Sequence, residues 1–176
     1  MVVGMLSVVG VLASGCGTAE RPTLAPVDTV MSANASVVDV VDGDTVDLDI
    51  DGTVERVRLI GIDTPETVKP NTPVQCFGPE ASARTKALLP VSTPVRLERD
   101  AEARDAYGRL LGYVYRATDG LFVNLVIVAG GYARPFPFEP NTTHAARFAD
   151  AARAARQAHL GLWGACRAAL AASVKR

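Results

Sequence analysis

Val57–Glu66 reads VRLIGIDTPE, and the rest of the chain is best understood outward from it. Val57, Leu59 and Ile62 are apolar residues that suit a pleated, half-buried strand. The run then stops in Asp63, Thr64, Pro65 and Glu66, so carboxylates and a hydroxyl stand where a well-packed strand ends. Upstream, Asp42-Gly43-Asp44-Thr45 places another acidic cluster ahead of an alternating segment, with Val46, Leu48 and Ile50 set against Asp47 and Asp49. Asp51-Gly52, between the two segments, is a strong signal for a type I′ hairpin turn. Centred there, the hairpin pairs 50 with 53, 48 with 55, 46 with 57 and 44 with 59. By parity, Asp44 and Asp63 then fall on one side of its open end. Strict alternation sends Arg58 to the opposite face, and bringing it to the carboxylates requires a bulge or a sharp twist.

Downstream, FGPEASARTKALLP (77–90) predicts a helix with Gly78 as N-cap, Pro79 in the first helical position and Glu80 near the positive helix end, bounded by Pro90. PVRLERD (94–100) and RLLGYVYRA (109–117) read as strands. GLFVNLVIVAGGYARP (120–135) opens as a short strand, turns helical near Asn124 and stops at Gly130-Gly131. The Ala- and Arg-rich stretch 140–163 predicts a last helix, capped by Asn141 or Thr142 and ended by Gly161. The order is strands, helix, strands, helix, helix. Short twisted strands with a helix inserted among them predict a small closed barrel in an α+β fold.

At 176 residues the chain holds one ordinary domain with extensions, and a hydrophobic fraction of 48% supports a real core. The net charge of −1 excludes a packaging protein, which needs a basic surplus, but not an enzyme that must release its products. Residues 1–15 are apolar and end in small residues. The run is too short to span a bilayer and suits a signal peptide. Ala13-Ser14-Gly15-Cys16 resembles a bacterial lipobox, although Ala13 stands where leucine is usual, and predicts Cys16 as a lipidated N-terminus. No Lys or Arg precedes the apolar run, which fits a translation start farther upstream. Residues 16–35, rich in Thr, Ala, Pro and Ser, read as a flexible tether, and 36–170 as the domain. The expected location is extracytoplasmic, on a membrane through the lipid or secreted. With Cys16 lipidated, Cys76 and Cys166 remain of the three cysteines, and an oxidising compartment favours their pairing.

Asp44, Asp63 and the Thr64 region offer hard oxygen ligands without accompanying His or Cys, a set that selects Ca²⁺, Mg²⁺ or Mn²⁺ over zinc. Taken singly, these residues have blander readings. Asp42-Gly43-Asp44 solubilises a hairpin end, Glu66 is a surface glutamate, Arg58 and Arg109 are solvated strand residues, and Tyr107-Gly108-Arg109 is a turn. Their combination changes the weighting. DGDT, VRLIGIDTPE, FGPEAS, DAYGRLLGYVY, GGYARPF, PNTTH and GLW follow one another between Ser36 and Ala165, and this set resembles the staphylococcal nuclease (thermonuclease) family.

The resemblance implies a five-stranded OB-fold β-barrel with three α-helices. It also implies a Ca²⁺-dependent phosphodiesterase acting on DNA and RNA and leaving 3′-phosphate products, a monomer with no obligate protein partner. Residue by residue, it assigns Asp44 and Asp63 as metal carboxylates and Thr64 as a carbonyl ligand. Arg58 and Arg109 match the arginines on the scissile phosphate, Glu66 the general base, and Tyr107 a wall of the nucleotide pocket. Phe136 and Phe138 stand where the secreted nuclease carries tyrosines, so rings remain for base contact without hydroxyls. Ala106 replaces an expected lysine, and Cys76 and Cys166 have no counterpart in the cysteine-free enzyme. The alternative reading is a catalytically silent OB-fold that only binds nucleic acid. A surface calcium-binding lipoprotein is a more distant one.

Overall fold

The computed structural model describes residues 31–68 and 70–166. β1 (Ala35–Val40), β2 (Thr45–Ile50) and β3 (Thr53–Leu59) form an antiparallel meander, and β4 (Gly61–Asp63) follows directly. Helix α1 (Gly78–Leu88) leads to β5 (Pro94–Glu98) and β6 (Leu110–Arg116). The chain continues through β7 (Leu121–Phe122), α2 (Val123–Ala129), β8 (Arg134–Phe136), α3 (Ala145–Gln157) and α4 (Leu162–Ala165). The main sheet runs β3-β2-β1-β5-β6 and closes on itself where β3 pairs parallel to β6, Val57 opposite Leu110 and Leu59 opposite Gly112. This closure makes the five-stranded barrel of an α+β OB-fold. β7 extends β6 at one edge, and β4 pairs with β8 in a separate two-stranded sheet.

The β2–β3 hairpin has the expected register, with Ile50 opposite Thr53, Leu48 opposite Glu55 and Val46 opposite Val57. Asp51 and Gly52 both take positive φ, 52° and 82°, as a type I′ turn demands. Inward-facing Val46, Leu48, Val57, Leu59, Val95 and Val114 are fully buried, and Val123 and Ile127 of α2 and Phe148 of α3 close one end of the barrel. β1 opens at Ala35, the last residue of the expected tether. Its register against β2 shifts between Val37 and Asp39, so no clean period of two marks it in the sequence.

Several local expectations differ from the structure. The parity that links Asp63 to Val57 and Leu59 does not survive Ile60, because the strand breaks there and Gly61 takes φ +79° before β4 begins. Phe77, not Gly78, caps α1, in the left-handed region at φ 70°, and Gly78 is already helical. His144 caps α3, and the helix ends at Gln157, ahead of Gly161. Asn141 is buried instead, where its Oδ1 accepts from the Glu102 N–H at 2.7 Å. Four helices stand among the described residues against the expected three, because the short α4 follows Gly161. Cys76 and Cys166 are joined in a disulfide that spans 90 residues of sequence. Among the described residues no helix is long and apolar enough to cross a membrane.

Asp100 ties the end of β5 to the entry of α3. Its carboxylate accepts from Tyr113 Oη at 2.8 Å, from the Thr143 N–H at 3.0 Å and from Thr143 Oγ1 at 2.9 Å. Burial alone pushes Asp100 up, but the bonds from Thr143, Tyr113 and Ala101 outweigh it and hold the carboxyl below its usual range.

Two predictions follow from this packing. Alanine at Gly61 would force a left-handed φ on a Cβ standing 2.3 Å from Cε2 of the buried Phe148. Gly61→Ala is expected to lose about 2–5 kcal/mol, read from the denaturant midpoint. Because its folded-state pKa is depressed, Asp100 stabilises the fold above the unfolded carboxylate value of about 3.9 and ceases to as the pH falls through the folded value. The stability gap between wild type and Asp100→Asn should therefore be widest near neutrality and close below about pH 4, measured by urea unfolding across the range.

Candidate active site

The site forms where β2 begins and β4 ends. Asp44 precedes β2 and is buried, so its carboxylate needs partners. Thr64, just past β4, supplies them: its N–H and its Oγ1 donate to Asp44 Oδ2 at 2.8 and 3.0 Å. Thr45 Oγ1 reaches Oδ1 at 3.3 Å. Gly43 makes the approach possible, because a Cβ there would stand 2.6 Å from Thr64 Oγ1. From α1, Thr85 Oγ1 donates to the Gly43 carbonyl at 2.7 Å and fixes the turn from behind. Asp42 folds its Oδ1 onto the Asp44 N–H at 3.0 Å.

Arg58 joins the two carboxylates. Its Nη2 lies 3.2 Å from Asp44 Oδ2 and 3.5 Å from Asp63 Oδ1, while Nη1 donates to the Leu59 and Ile62 carbonyls at 2.8 Å each. The expected bulge is absent from β3, whose pairing with β2 is unbroken from residue 53 to 58. Arg58 keeps its place in the ladder, and the break at Ile60-Gly61 brings Ile62 and Asp63 to its guanidinium. β8 holds β4 from its other side, with Asp63 opposite Arg134 and Gly61 opposite Phe136.

Arg109 enters from the loop before β6. Asp105 organises that loop: its Oδ1 accepts from the N–H groups of Tyr107 and Arg109 at 2.9 and 3.0 Å, and its Oδ2 accepts from Arg109 Nε at 2.7 Å. Tyr107 is 86% exposed, with its ring 5.5 Å from the Arg109 guanidinium carbon. Ala106 sits exposed in the same turn. Glu66 Oε1 accepts from the N–H groups of Thr67 and Val68, each at 2.8 Å.

Asp44, Asp63, Thr64, Arg58, Glu66, Tyr107 and Arg109 thus line one cavity of about 470 Å³. Phe136 lies outside it, half exposed on β8, and with Phe138 lines a neighbouring hollow of about 190 Å³ that also touches Arg58, Asp63 and Arg109. Cys76 and Cys166 stand away from the cavity, and Cys16 lies outside the described residues. Sequence reasoning passed over Asp105, which bears the signal of an aspartate heading a turn that contains glycine. It also passed over Arg56, which lines the cavity and is gripped through Nε and Nη2 by Asp47 at 2.8 and 2.9 Å.

The electrostatics of the site are crowded. Burial pushes the Asp42 carboxyl up, and the neighbouring Asp44 and Glu66 charges push it further. Burial likewise raises Asp44, against the pull of Arg58 and the Thr64 hydrogen bonds and with the Asp63 charge adding to it. Among the described residues no group of three or more His, Cys, Asp or Glu side chains is arranged to hold a metal. The donors facing the cavity are carboxylate oxygens from separate elements, with no imidazole or thiolate in its lining. Such a partial hard-oxygen set suits a divalent cation that completes its shell with water and substrate oxygens, and the crowded negative charge favours one.

A closed barrel with carboxylates and guanidiniums gathered in a cleft on its side defines an OB-fold protein built to meet an anionic ligand. Residues 56–165 match the family described as Staphylococcal nuclease homologue. The chain is 48% identical to the thermonuclease of Staphylococcus intermedius over 124 residues, 70% of its own length and 72% of the relative's. It is 42% identical to the thermonuclease of Staphylococcus hyicus over 127 residues, 72% of this chain and 73% of that one. Endonuclease YncB of Bacillus subtilis (strain 168) is 39% identical over 132 residues, 74% of this chain and 61% of the relative. The chain belongs to the staphylococcal nuclease family.

Proposed function

We propose that the protein is a calcium-dependent nuclease that hydrolyses phosphodiester bonds of DNA and RNA and leaves 3′-phosphate ends. The convergence of Arg58, Arg109, Glu66, Asp44 and Asp63 on one cavity carries this reading. It is supported by thermonucleases and an endonuclease among the relatives. Asp44, Asp63 and the Thr64 carbonyl are the residues that would hold Ca²⁺, which when bound supplies charge neutralisation at a phosphate oxygen and Lewis-acid polarisation.

The chain's own residues supply the rest. A phosphodiester is anionic and repels a nucleophile, and the transition state carries still more charge. Arg58 and Arg109 meet that charge with fixed guanidiniums, because Arg58 is held by the Leu59 and Ile62 carbonyls and Arg109 by Asp105. Donors already aimed need no reorganisation at the moment of reaction. Glu66, held by the Thr67 and Val68 N–H groups, takes the proton from the attacking water. Asp44 is unsuited to that role, since it is buried in the barrel wall and is one of the carboxylates assigned to the metal. Tyr107 and Phe136 offer rings to the substrate's bases or sugars. Without a lysine at Ala106 and without hydroxyls at Phe136 and Phe138, substrate affinity or length preference departs from that of the secreted nuclease. The family's fold fits a monomer with no obligate partner.

Cleavage of labelled DNA and RNA should require Ca²⁺ and stop in EGTA. Glu66→Gln should keep the fold and the metal requirement while slowing turnover by about 10²- to 10⁴-fold. Arg109→Ala should lower kcat by about 10²- to 10³-fold. Asp63→Ala should raise the Ca²⁺ needed for half-maximal rate, since Asp63 is half exposed and its loss removes a ligand while Arg58 keeps Asp44 and the Leu59 and Ile62 carbonyls as partners. Wild-type rates in all these variants, or undiminished cleavage in EGTA, would return the cluster to a hairpin end made soluble by acids.

We further propose an extracytoplasmic, lipid-anchored location through Cys16, with residues 1–15 as the removed signal peptide and 16–35 as tether. This rests on the sequence of residues 1–30, which lie outside the described structure. Residues 31–35 are described, with the N–H groups of Met31 and Asn34 bonded to the Ala117 and Val95 carbonyls and Ala35 opening β1. Cys16→Ser should move the protein from the membrane fraction to the soluble fraction on cell fractionation, and unchanged membrane association would refute the anchor.

A further inference from the structure

The segment that leads from Glu66 into α1 is closed by a clamp. The Glu66 N–H donates to Gln75 Oε1 at 3.1 Å, and the Gln75 N–H donates back to the Glu66 carbonyl at 2.9 Å. The Gln75 carbonyl in turn accepts from the N–H of Gly78, the first residue of α1, at 3.0 Å. The helix start is pressed against the same backbone. A Cβ on Gly78 would stand 2.7 Å from Thr67 Cγ2, 3.0 Å from the Glu66 oxygen and 3.1 Å from the Pro65 oxygen.

Cys76 follows Gln75, and its disulfide partner, Cys166, directly follows α4. That helix is itself anchored, since the Leu162 N–H donates to the Gly131 carbonyl at 2.9 Å and the Cys166 N–H to the Leu162 carbonyl at 3.0 Å. Glu66 is therefore tied on both sides. On one side Thr64 locks onto Asp44 in the barrel. On the other, Gln75 and Cys76 lead through the disulfide to the helices packed outside it. Glu66 lines the cavity, whereas Gln75 and Cys76 do not.

We infer that Gln75, held in place by the Cys76–Cys166 disulfide, is a positioning residue that sets where the Glu66 carboxylate meets the substrate; this rests on Glu66 being the proton acceptor. A base works only within hydrogen-bond reach of the proton it removes, and small displacements cost disproportionate rate. The clamp grips the Glu66 backbone and not its carboxylate. It therefore governs placement and leaves the chemical identity of the base unchanged. The disulfide restrains the residue adjoining Gln75, so the clamp keeps its register while substrate enters and product leaves.

The experiment is a double-mutant cycle on kcat and KM with a DNA oligonucleotide and saturating Ca²⁺, at a temperature where unfolding curves show every variant folded. Gln75→Leu, which loses the side-chain acceptor, should lower kcat by about ten- to a hundredfold with KM little changed. Gln75→Glu keeps an acceptor oxygen and should stay within about threefold of wild type. Cys76→Ala combined with Cys166→Ala should lower kcat in the same sense. In a Glu66→Gln background, Gln75→Leu should cost nothing further, because the residue acts through the base. The inference is overturned if Gln75→Leu keeps the wild-type kcat, or if it slows Glu66→Gln as much as it slows wild type. Wild-type turnover by Glu66→Gln alone would instead remove the base assignment, and the clamp's role with it.

Discussion

The rest of the site depends on one buried carboxylate. Asp44 sits in the barrel wall, where an ionised group without partners would be heavily penalised. The chain answers with the Thr64 N–H and hydroxyl, the Thr45 hydroxyl and the Arg58 guanidinium, all within 3.3 Å of its oxygens. Each partner belongs to a different part of the fold: the end of β4, the first residue of β2 and the end of β3. Satisfying Asp44 therefore joins these elements, and the joint is the floor of the cleft. Gly43 lets Thr64 come close enough, and Thr85 of α1 holds the Gly43 carbonyl from behind. The polar network is a structural device before it is a functional one, because it sets the distance between Asp44 and Asp63.

A second buried group performs a similar task on the opposite side of the break. Asn124 is fully buried at the start of α2. Its Nδ2 donates to the Ile60 carbonyl at 3.0 Å, and its Oδ1 accepts from the Val114 N–H at 2.9 Å. Ile60 is the residue where β3 stops, so its carbonyl has left the regular ladder, and Asn124 replaces the lost partner. The break that brings Asp63 to Arg58 is thereby stabilised from inside the core. The site geometry and the helix cap of the barrel consequently share a residue, and Asn124 couples α2 packing to the direction in which β4 leaves.

Legibility in the sequence followed the range of the forces involved. The β2–β3 hairpin was readable because its period of two and its Asp51-Gly52 turn are local. The register placed Asp44 at the open end of the hairpin, but the parity that put Asp63 beside it ends at Ile60. The two carboxylates meet through Arg58 after the strand breaks. The route by which Arg58 reaches them was not readable. It depends on the positive φ of Gly61 and on Phe148, which packs where a Cβ would stand and comes from α3, far along the chain. The caps of α1 and α3 were misplaced for a related reason. Phe77 packs against Tyr132 in a tilted pair with ring centroids 5.5 Å apart, and Asn141 is drawn inward to the Glu102 backbone, so tertiary contacts outweighed local capping preference. The pairing of β1 was obscured by its shifted register. Asp105 was legible in principle, since an aspartate that closes a glycine-containing turn onto its own backbone is a local pattern.

The two arginines of the cleft differ in what each does for the fold, and that difference decides how each can be probed. Arg58 has only 15% of its side chain exposed and balances the buried charge of Asp44. Removing it would leave that carboxylate facing the cavity with the hydrogen bonds of Thr64 and Thr45 alone, and breaking a buried pair in this way typically costs about 3–5 kcal/mol. A slower Arg58 variant would thus report lost stability and lost charge together. Arg109 is twice as exposed, and its partner Asp105 keeps its bonds to the Tyr107 and Arg109 backbone N–H groups when the guanidinium is gone. The loop keeps its shape, the floor of the cleft is untouched, and a change in turnover at Arg109 reads the charge presented to the substrate by itself.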